Sequence, residues 1–330
     1  HQTNAKAGNL NYALQRTDGE LVFVLDSDHV VRRDALDRMA GYMSIAKVGI
    51  VQSKQSYLVP EDDPFNSQDP VFYDAIQLGF DADDTVISCG SGVLYRREAL
   101  DEIGGFAEWN LVEDLTTSYE LQAAGWKGLY YPYPVTLGLA PGKIEEVYQQ
   151  RYQWTVDTMR IFFWDNPLRK AGLNWRQRLN HLVIGSSYIW AGFFMPIFFM
   201  VPLWTYVTGT PLFVAAELPI VLSRLVYFIL FAVAAELLFR GKQPGKQFQF
   251  LAGMFPVYVW GTIRALFSPP GRKPKYRVNN LIGESSLIRH VLFLSPQLGL
   301  LGANALLPFY ALYRGHLPAW VLAANMLVSA

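Results

Sequence analysis

The fold is decided by a short segment, LVFVLDSD at residues 21–28. Its first five residues are apolar and prone to β-structure, a pattern typical of a strand that is covered on both faces in a parallel sheet. The segment then continues directly into Asp26 and Asp28. In open α/β sheets, ligands bind at the carboxyl ends of the strands. The sequence therefore predicts that this strand delivers two carboxylates to a binding site.

Helical and extended segments alternate after this strand. The predicted elements are a helix at 33–44, a strand at 48–52, a helix at 97–103, a helix at 111–124 and an extended segment at 130–139. Such alternation is typical of an α/β domain. We expect this domain to occupy residues 1–165, where most of the charged residues lie.

Asp26 and Asp28 are candidate metal ligands. Because only one residue separates them, each can direct an oxygen at the same hard cation, and Mg²⁺ or Mn²⁺ bound there would neutralise a departing diphosphate. An Asp-x-Asp pair in an ordinary turn is the other interpretation. His29 either contacts the metal or the diphosphate, or packs as a turn residue.

Asp114 is a candidate general base. It follows Glu113 at the start of a predicted helix, where two acidic side chains could simply complement the helix dipole. The alternative is that Asp114 takes the proton from an acceptor hydroxyl. Position alone leaves both interpretations open. The order along the chain of the segments 26–28, 89–92, 112–114 and 150–154 favours the base.

Two further segments suit a site that binds sugars. Gln150, Gln153 and Trp154 fall at i, i+3 and i+4, so one helix face carries all three. Trp154 is then either a core residue or a platform for a sugar ring. The small residues of Cys89-Gly90-Ser91-Gly92 allow close backbone approach to a ligand, or form a tight strand connection.

The second half of the chain is apolar enough to cross a bilayer, which takes about 20 apolar helical residues. Residues 182–216 carry no charge, and Thr208-Gly209-Thr210-Pro211 predicts a turn within the apolar stretch. The predicted spans lie near 182–207, 212–238, 291–312 and 317–330, the last one cut short by the end of the sequence. The segment 247–268 contains polar residues and a proline, which favours an interfacial helix. Buried core helices are the alternative for the first two spans.

The charge distribution and the cysteine content indicate where the domain lies in the cell and which partners and bonds are not expected. Lysine and arginine residues flank the predicted spans on one side, so the positive-inside rule places residues 1–165 and the interfacial segment in the cytoplasm, with 166–330 as the membrane region. The net charge is zero, so no nucleic-acid partner is expected. Cys89 is the only cysteine and excludes an internal disulfide. The absence of an initiating Met suggests an N-terminally truncated domain.

Several short segments, in the order in which they follow one another along the chain, resemble the processive, inverting family-2 glycosyltransferases of the bacterial cellulose synthase type. The similar segments are Lys6 to Asn11, Asp26 to His29, Asp63 to Phe65, Cys89 to Ser91, Val112 to Asp114, Gln150 to Trp154 and Asp165 to Leu168. The resemblance implies a GT-A-type nucleotide-sugar-binding domain followed by an α-helical transmembrane region. It also implies a membrane-embedded enzyme that uses a nucleotide sugar, a UDP-sugar by analogy, to lengthen a β-linked polysaccharide.

The resemblance also implies a role for each site residue. Asp114 would be the base, and Asp26 and Asp28, with His29, would hold the divalent metal. The nucleotide sugar would contact Lys6, Asp26, Asp28, Gln150 and Arg151. The growing glycan would contact Cys89, Gly90, Ser91, Glu113 and Trp154. The partners expected are the donor, the glycan acceptor and the lipid bilayer, and the resemblance leaves room for accessory subunits.

The chain departs from the family pattern at three places. Gln153 replaces the arginine of Gln-x-x-Arg-Trp, and Arg151 is expected on another helix face. Val112 replaces a threonine, and residues 276–281 lack the threonine and lysine of the family's gating loop. Two other functions therefore stay open: a non-processive transferase acting on a lipid or other acceptor, and a catalytically silent membrane scaffold that binds nucleotide sugar. Asp26, Asp28 and Asp114 favour an enzyme.

Overall fold

The computed structural model describes residues 5–59, 63, 65–110, 112–210, 218–239, 241–275 and 287–316. The chain divides into two compact units, one drawn from His1–Tyr188 and Val257–Leu281 and the other from Ile189–Pro256 and Ile282–Ala330. Among the described residues, all the β-strands lie in the first unit.

Regular structure begins with a helix and then alternates between strands and helices. The elements in chain order are α1 (Ala5–Leu14), β1 (Leu21–Val24), β2 (Val30–Val31), α2 (Ala35–Met39), β3 (Val48–Lys54), β4 (Tyr57–Leu58), α3 (Gln77–Ala82), β5 (Val93–Arg96), α4 (Arg97–Glu102), α5 (Glu113–Ala123), β6 (Lys127–Pro134), β7 (Thr136–Leu139), α6 (Ile144–Trp164), α7 (Trp175–Ile189), α8 (Met195–Thr208), α9 (Leu218–Leu238), α10 (Pro244–Gly253), α11 (Phe255–Leu266), α12 (Leu287–Phe293) and α13 (Ser295–Tyr313). The predicted strand at 48–52 and the helices at 97–103 and 111–124 are confirmed by β3, α4 and α5.

The main sheet has the strand order β1-β5-β3-β6 and is mixed rather than parallel. Only β3 and β6 run parallel, and β5 is antiparallel to both β1 and β3. The prediction that residues 21–25 lie in a parallel sheet was therefore wrong. A continuous apolar run reports how many faces of a strand are covered, and it carries no information about the direction of the neighbouring strand.

Other residues pack against both faces of β1. Val22 and Val24 pack in one cluster with Leu10 of α1. Leu21 and Phe23 pack in a second cluster on the other face of the sheet, around Met39 and Met43. Burial on both faces holds β1 in place. The position of Asp26, which follows the strand, is therefore fixed at its start.

A small second sheet, ordered β2-β7-β4, positions the residues that follow this end. In it Val31 pairs with Thr136, and β7 runs parallel to β4. His29 precedes β2 and lies over Gly138 of β7, where an added Cβ would come within 2.2 Å of the imidazole Nε2. Only glycine leaves room for the ring at this place.

The long helix α6 confirms the predicted helix around 150–154, and α11 packs closely against it. An added Cβ at Gly261 would lie 2.7 Å from the Thr155 Cγ2 atom, so the two helices meet where α11 has no side chain. The Trp164 indole donates a hydrogen bond to the Ala265 carbonyl at 2.9 Å. The approach of α11 to α6 is therefore fixed at two points.

The second unit is helical in its described residues. Tyr206 of α8 packs against Ala311 of α13, with Leu203 and Leu307 beside them. Asn304 donates to the Phe199 carbonyl at 3.1 Å. Many large apolar side chains on these helices are exposed, among them Phe198, Trp204, Leu237, Leu238, Leu301 and Phe309.

One helical run among the described residues, Trp175–Thr208, is long and apolar enough to cross a membrane. It contains the predicted span at 182–207, with a wider π-helical turn at Trp190–Phe194. Leu225–Leu238 of α9 is a shorter apolar helix. Residues 212–217 of the second predicted span, and all of 317–330, lie outside the described residues.

Two segments predicted as single helices are each two. The segment 247–268 forms α10 and α11, and 291–312 belongs to α12 and α13. Pro256 and Pro296 are the second residues of α11 and α13. Proline has no N–H to donate and fits the first turn of a helix rather than its interior, so each proline starts a new helix.

Gly261→Ala tests the close contact between α11 and α6. The added methyl group must displace Thr155, so we expect a loss of about 1–3 kcal/mol in unfolding free energy. Gly79→Ala in α3 is the matched control, because no atom lies within 4 Å of its added Cβ. The control should raise stability by roughly 0.5–1 kcal/mol. Thermal unfolding measures both, and equal melting temperatures would contradict the contact.

Candidate active site

Three potential metal ligands cluster where β1 ends. The ligand atoms of Asp26, Asp28 and His29 all lie within 4.8 Å of one another. Asp28 is exposed, and the other two are half-buried. Two carboxylates and one imidazole suit a divalent cation such as Mg²⁺ or Mn²⁺, with positions left for phosphate oxygens and water. The donor set therefore fits the predicted metal.

Lys6 reaches into this cluster from α1. Its ammonium lies 2.6 Å from Asp26 Oδ1 and 3.3 Å from Glu113 Oε1. It also donates to the Gly90 carbonyl at 2.5 Å. Burial disfavours the charge, but Glu113, Asp26 and Asp114 outweigh it and raise the pKa of Lys6. The lysine thus stays protonated and connects β1, α5 and the loop around residue 90.

Asp114 lies beside this lysine in the first turn of α5. One of its carboxylate oxygens, Oδ1, accepts a hydrogen bond from the Leu115 N–H at 2.6 Å. Burial and the neighbouring charge of Glu113 raise the pKa of Asp114 to about 7, although Lys6 acts against the shift. A carboxyl group with a pKa near neutrality can accept a proton at ordinary pH. The helix-dipole interpretation does not account for such a shift, because a helix N-terminus favours the charged form.

Gly90 fits tightly between these charged groups. Its φ is +81°, in the left-handed region that glycine adopts readily. A Cβ added there would lie 2.8 Å from Asp114 Oδ2 and 3.1 Å from Lys6 Nζ. The small-residue segment 89–92 therefore approaches charged side chains of the protein itself.

Two buried glutamines hold the 89–92 loop in place. Gln52 accepts from the Cys89 N–H at 2.8 Å and donates to the Ser91 carbonyl at 3.1 Å. Gln55 donates to that same carbonyl at 2.5 Å. Sequence reasoning missed both residues. Their signal is the change from apolar to polar side chains within one buried segment, since Gln52 follows Val51 in β3.

Ser91 connects this loop to the metal-ligand cluster. Its hydroxyl accepts a hydrogen bond from the Asp26 N–H at 3.0 Å and lies 3.0 Å from the His29 Nδ1 atom. Ser118 provides a second connection, because its hydroxyl accepts from the Ser88 N–H and donates to the Asp114 carbonyl, both at 2.8 Å. The loop is thus bonded on one side to β1 and on the other to α5.

On α6, Arg151 and Trp154 interact directly. The Arg151 guanidinium carbon lies 4.6 Å from the centre of the Trp154 ring. Residues three apart are neighbours on a helix, so this contact is compatible with the expectation that Arg151 points to a face other than that of Gln153. Gln153 is buried, whereas Gln150 and Trp154 are half-buried.

The hydroxyl of Tyr57 responds both to α6 and to the metal-ligand cluster. Burial raises the pKa of this hydroxyl, the negative charge of Asp26 adds to that effect, and the positive charge of Arg151 opposes it. Asp26 and Arg151 are thus both close enough to act electrostatically on the Tyr57 hydroxyl. The structure therefore gathers Lys6, Glu113, Asp114 and the 89–91 loop around Asp26, and the charge of Arg151, which contacts Trp154, acts on the same tyrosine hydroxyl as the charge of Asp26.

With this geometry established, the sequence profile of the family described as Glycosyl transferase family group 2 matches residues 21–239. The match covers most of the chain. The chain belongs to this glycosyltransferase family. The predicted recognition is confirmed, and the chain is an α/β glycosyltransferase.

Curated relatives of this glycosyltransferase carry the name cellulose synthase. Cellulose synthase 1 of Komagataeibacter xylinus is 36% identical over 199 residues, which cover 57% of this chain and 13% of that protein. The UDP-forming catalytic subunits of Komagataeibacter sucrofermentans and Pseudomonas fluorescens are 35% and 34% identical. Each match covers 66% of this chain and 30% or 31% of the relative. The glycosyltransferase thus spans less than a third of these relatives.

A solved structure supports the GT-A-like fold. It is a mannosyltransferase from Pyrobaculum calidifontis in complex with GDP-Man and Mn²⁺, with a TM-score of 0.54 and 18% identity. The match covers 80% of this glycosyltransferase and 67% of that chain. At this identity the similarity concerns the fold alone.

The raised pKa of Asp114 predicts a dependence of stability on pH. The folded glycosyltransferase keeps this proton up to about pH 7, whereas the unfolded chain releases it near pH 4. Wild-type stability should therefore fall as pH rises between these values, by about 3–4 kcal/mol from this group. Asp114→Asn should show a smaller fall. Thermal melts in EDTA from pH 5 to pH 8 test this, and identical profiles for the two proteins would contradict it.

Proposed function

We propose that this glycosyltransferase is membrane-embedded and inverting, and that it uses a nucleotide sugar, with UDP-sugar favoured, to lengthen a β-linked polysaccharide. One observation carries the proposal. Asp114, a carboxyl group with a pKa near 7, lies in the first turn of α5 next to Glu113, and Glu113 and Asp26 of the metal-ligand cluster both pair with the Lys6 ammonium. A proton acceptor thereby lies beside a place where a diphosphate can be bound.

The transfer is a single displacement. Asp114 takes the proton of the acceptor hydroxyl while the hydroxyl oxygen forms a bond to the anomeric carbon of the donor. The bond from that carbon to the diphosphate oxygen breaks on the opposite side, so the configuration inverts. Mg²⁺ or Mn²⁺ on Asp26, Asp28 and His29 would neutralise the charge of the departing diphosphate.

The remaining site residues are divided between donor and acceptor. Lys6, Gln150 and Arg151 would contact the nucleotide sugar along with the aspartate pair. The acceptor would contact the wall at 89–91, Glu113 and the ring of Trp154. The apolar C–H face of a sugar suits an aromatic surface, and the half-buried Trp154 has ring area available.

Membrane embedding is supported by the helical run Trp175–Thr208. Its 34 residues exceed the roughly 20 needed for a crossing. Exposed apolar side chains on α8, α9 and α13 suit a lipid environment. We propose that residues 166–330 form the membrane region, with spans near 182–207, 212–238, 291–312 and 317–330. The domain of residues 1–165 would be cytoplasmic, and α10 and α11 would be interfacial.

Transfer of radiolabelled sugar from a panel of nucleotide donors tests the function. The full-length protein in proteoliposomes should make a long glycan from one donor, and EDTA should stop synthesis. Asp114→Asn should lower the rate about 10²–10⁴-fold, because it removes the base. Asp28→Asn should also lower it, with activity partly restored by excess Mn²⁺. Asp101→Asn, an exposed residue of α4, is the matched control and should leave the rate unchanged.

Other outcomes favour the other functions. A short, lipid-linked product would indicate a non-processive transferase. No product from any donor, together with retained binding of a nucleotide sugar, would indicate the silent scaffold that the replacement at Gln153 permits.

The rate should also depend on pH in a defined direction. Protonated Asp114 cannot act as a base, so kcat/KM should fall as pH drops below about 7. Lys6 lowers the pKa of Asp114, so Lys6→Met should move this acid limb upward by about one pH unit. Profiles measured from pH 5 to pH 9 test the direction. A limb that stays in place or moves downward would contradict the electrostatic role of Lys6.

A further inference from the structure

Arg160 of α6 is a fully buried arginine that the transfer reaction described above does not use. Its side chain has no exposed surface. It belongs to a polar stripe on the buried face of α6, formed with Gln153 and Asp157, which precede it by two turns and by one. Buried helix faces are ordinarily apolar, so this stripe calls for an explanation.

The Arg160 guanidinium binds two separate segments of the chain. On one side it donates to the Trp109 carbonyl at 2.9 Å and to Asn110 Oδ1 at 2.8 Å. On the other it donates to the carbonyls of Ser268 and Pro269, at 2.8 Å and 3.2 Å. Together with its own helix, Arg160 thus joins three parts of the first unit.

Asn110 extends this network to the helix that carries the proposed base. Its side-chain amide donates to the Thr116 hydroxyl and to the Asp157 carbonyl, both at 3.1 Å. The Thr116 hydroxyl in turn donates to the Val112 carbonyl at 3.4 Å. Val112 directly precedes Glu113, so the bonds that begin at Arg160 end in the first turn of α5.

Lys273 forms a parallel connection between the same two segments. It lies five residues after Ser268, and its ammonium donates to the Glu108 carbonyl at 2.7 Å. The chain that follows α11 is therefore attached to the chain before α5 at two places, residues 108 and 109–110. Because Gly261 and Trp164 also fix α11 against α6, these segments form one connected arrangement.

The energetics argue against a role in stability alone. A guanidinium removed from water loses several kcal/mol of hydration, and well-packed apolar residues often replace a buried charge with no loss of stability. Three of the four acceptors of Arg160 are main-chain carbonyls, so these bonds determine the positions of the loops that contain those carbonyls. Arginine is suited to this because its donors are held in a rigid fork.

We propose that Arg160 is a positioning residue for glycosyl transfer: through Asn110 and Thr116 it fixes the first turn of α5, and hence Asp114, relative to α6 and the segment after α11. The inference rests on the proposed function, since it concerns the same base. Arg160 has no exposed surface, so its effect would pass through the residues that it binds.

Arg160→Lys is the first test, because it keeps the charge and removes the fork. Misplacing a base by about 1 Å can lower a rate roughly 10²-fold, so we expect kcat to fall at least about tenfold. KM for the nucleotide sugar should stay within about twofold, because no donor contact is lost.

Arg178→Lys is the matched control. Arg178 of α7 also bonds to main-chain carbonyls, those of Leu168, Lys170 and Leu173, at 3.0 to 3.1 Å. It should lower the melting temperature as Arg160→Lys does, while kcat stays at the wild-type value. If both variants lose kcat in proportion to their loss of stability, Arg160 is structural and the inference fails.

Thr116→Val keeps the inference testable even if Arg160→Lys does not fold. Valine has nearly the shape of threonine and removes only the hydroxyl that links Asn110 to Val112. We expect a fall in kcat of about three- to tenfold with KM unchanged. Wild-type kcat in Thr116→Val would overturn the inference. Failure of the wild-type protein to transfer sugar would instead count against the proposed function, so the two failures are distinguishable.

Discussion

The site depends on one ammonium group among three carboxylates. Lys6 lies 2.6 Å from Asp26 and 3.3 Å from Glu113, and the charge of Asp114 acts on it as well. Without a cation at this place, the carboxylates from β1 and α5 would repel one another in a partly dehydrated environment. The lysine also donates to the Gly90 carbonyl. One side chain therefore holds together the end of a strand, the start of a helix and a loop.

Bonds from side chains to main-chain carbonyls recur throughout this unit. Gln52 and Gln55 share the Ser91 carbonyl, and Arg160 binds carbonyls near residues 109 and 268. Buried loops need such partners, because they lack the regular bonding of a helix or sheet. The loops that contain these carbonyls are thereby held firmly although they have little regular structure. That firmness is what a site requires when a proton acceptor and a leaving group must be held at fixed positions.

The sequence predicted the parts of the site that local pattern encodes. An apolar run followed by Asp26 and Asp28 located the metal-ligand cluster, and two acidic residues at a helix start located Asp114. Strand direction was not predictable, because β1 pairs with residues 93–96, far along the chain. The Gln52 and Arg160 networks were missed for the same reason, since Gln52 bonds to Cys89 and Arg160 to Pro269, which are 37 and 109 positions away. The Arg151–Trp154 contact was predictable from helical spacing and was overlooked.

Gly90 has a consequence for how this site can change over evolutionary time. The charged residues around it have chemical substitutes: an aspartate can become a glutamate, and a lysine an arginine, with some adjustment of length. Residue 90 has none, since its backbone is left-handed and even a methyl group would meet the Asp114 carboxylate at 2.8 Å. Changes in sugar specificity must therefore leave Gly90 in place and occur at the other residues around the site.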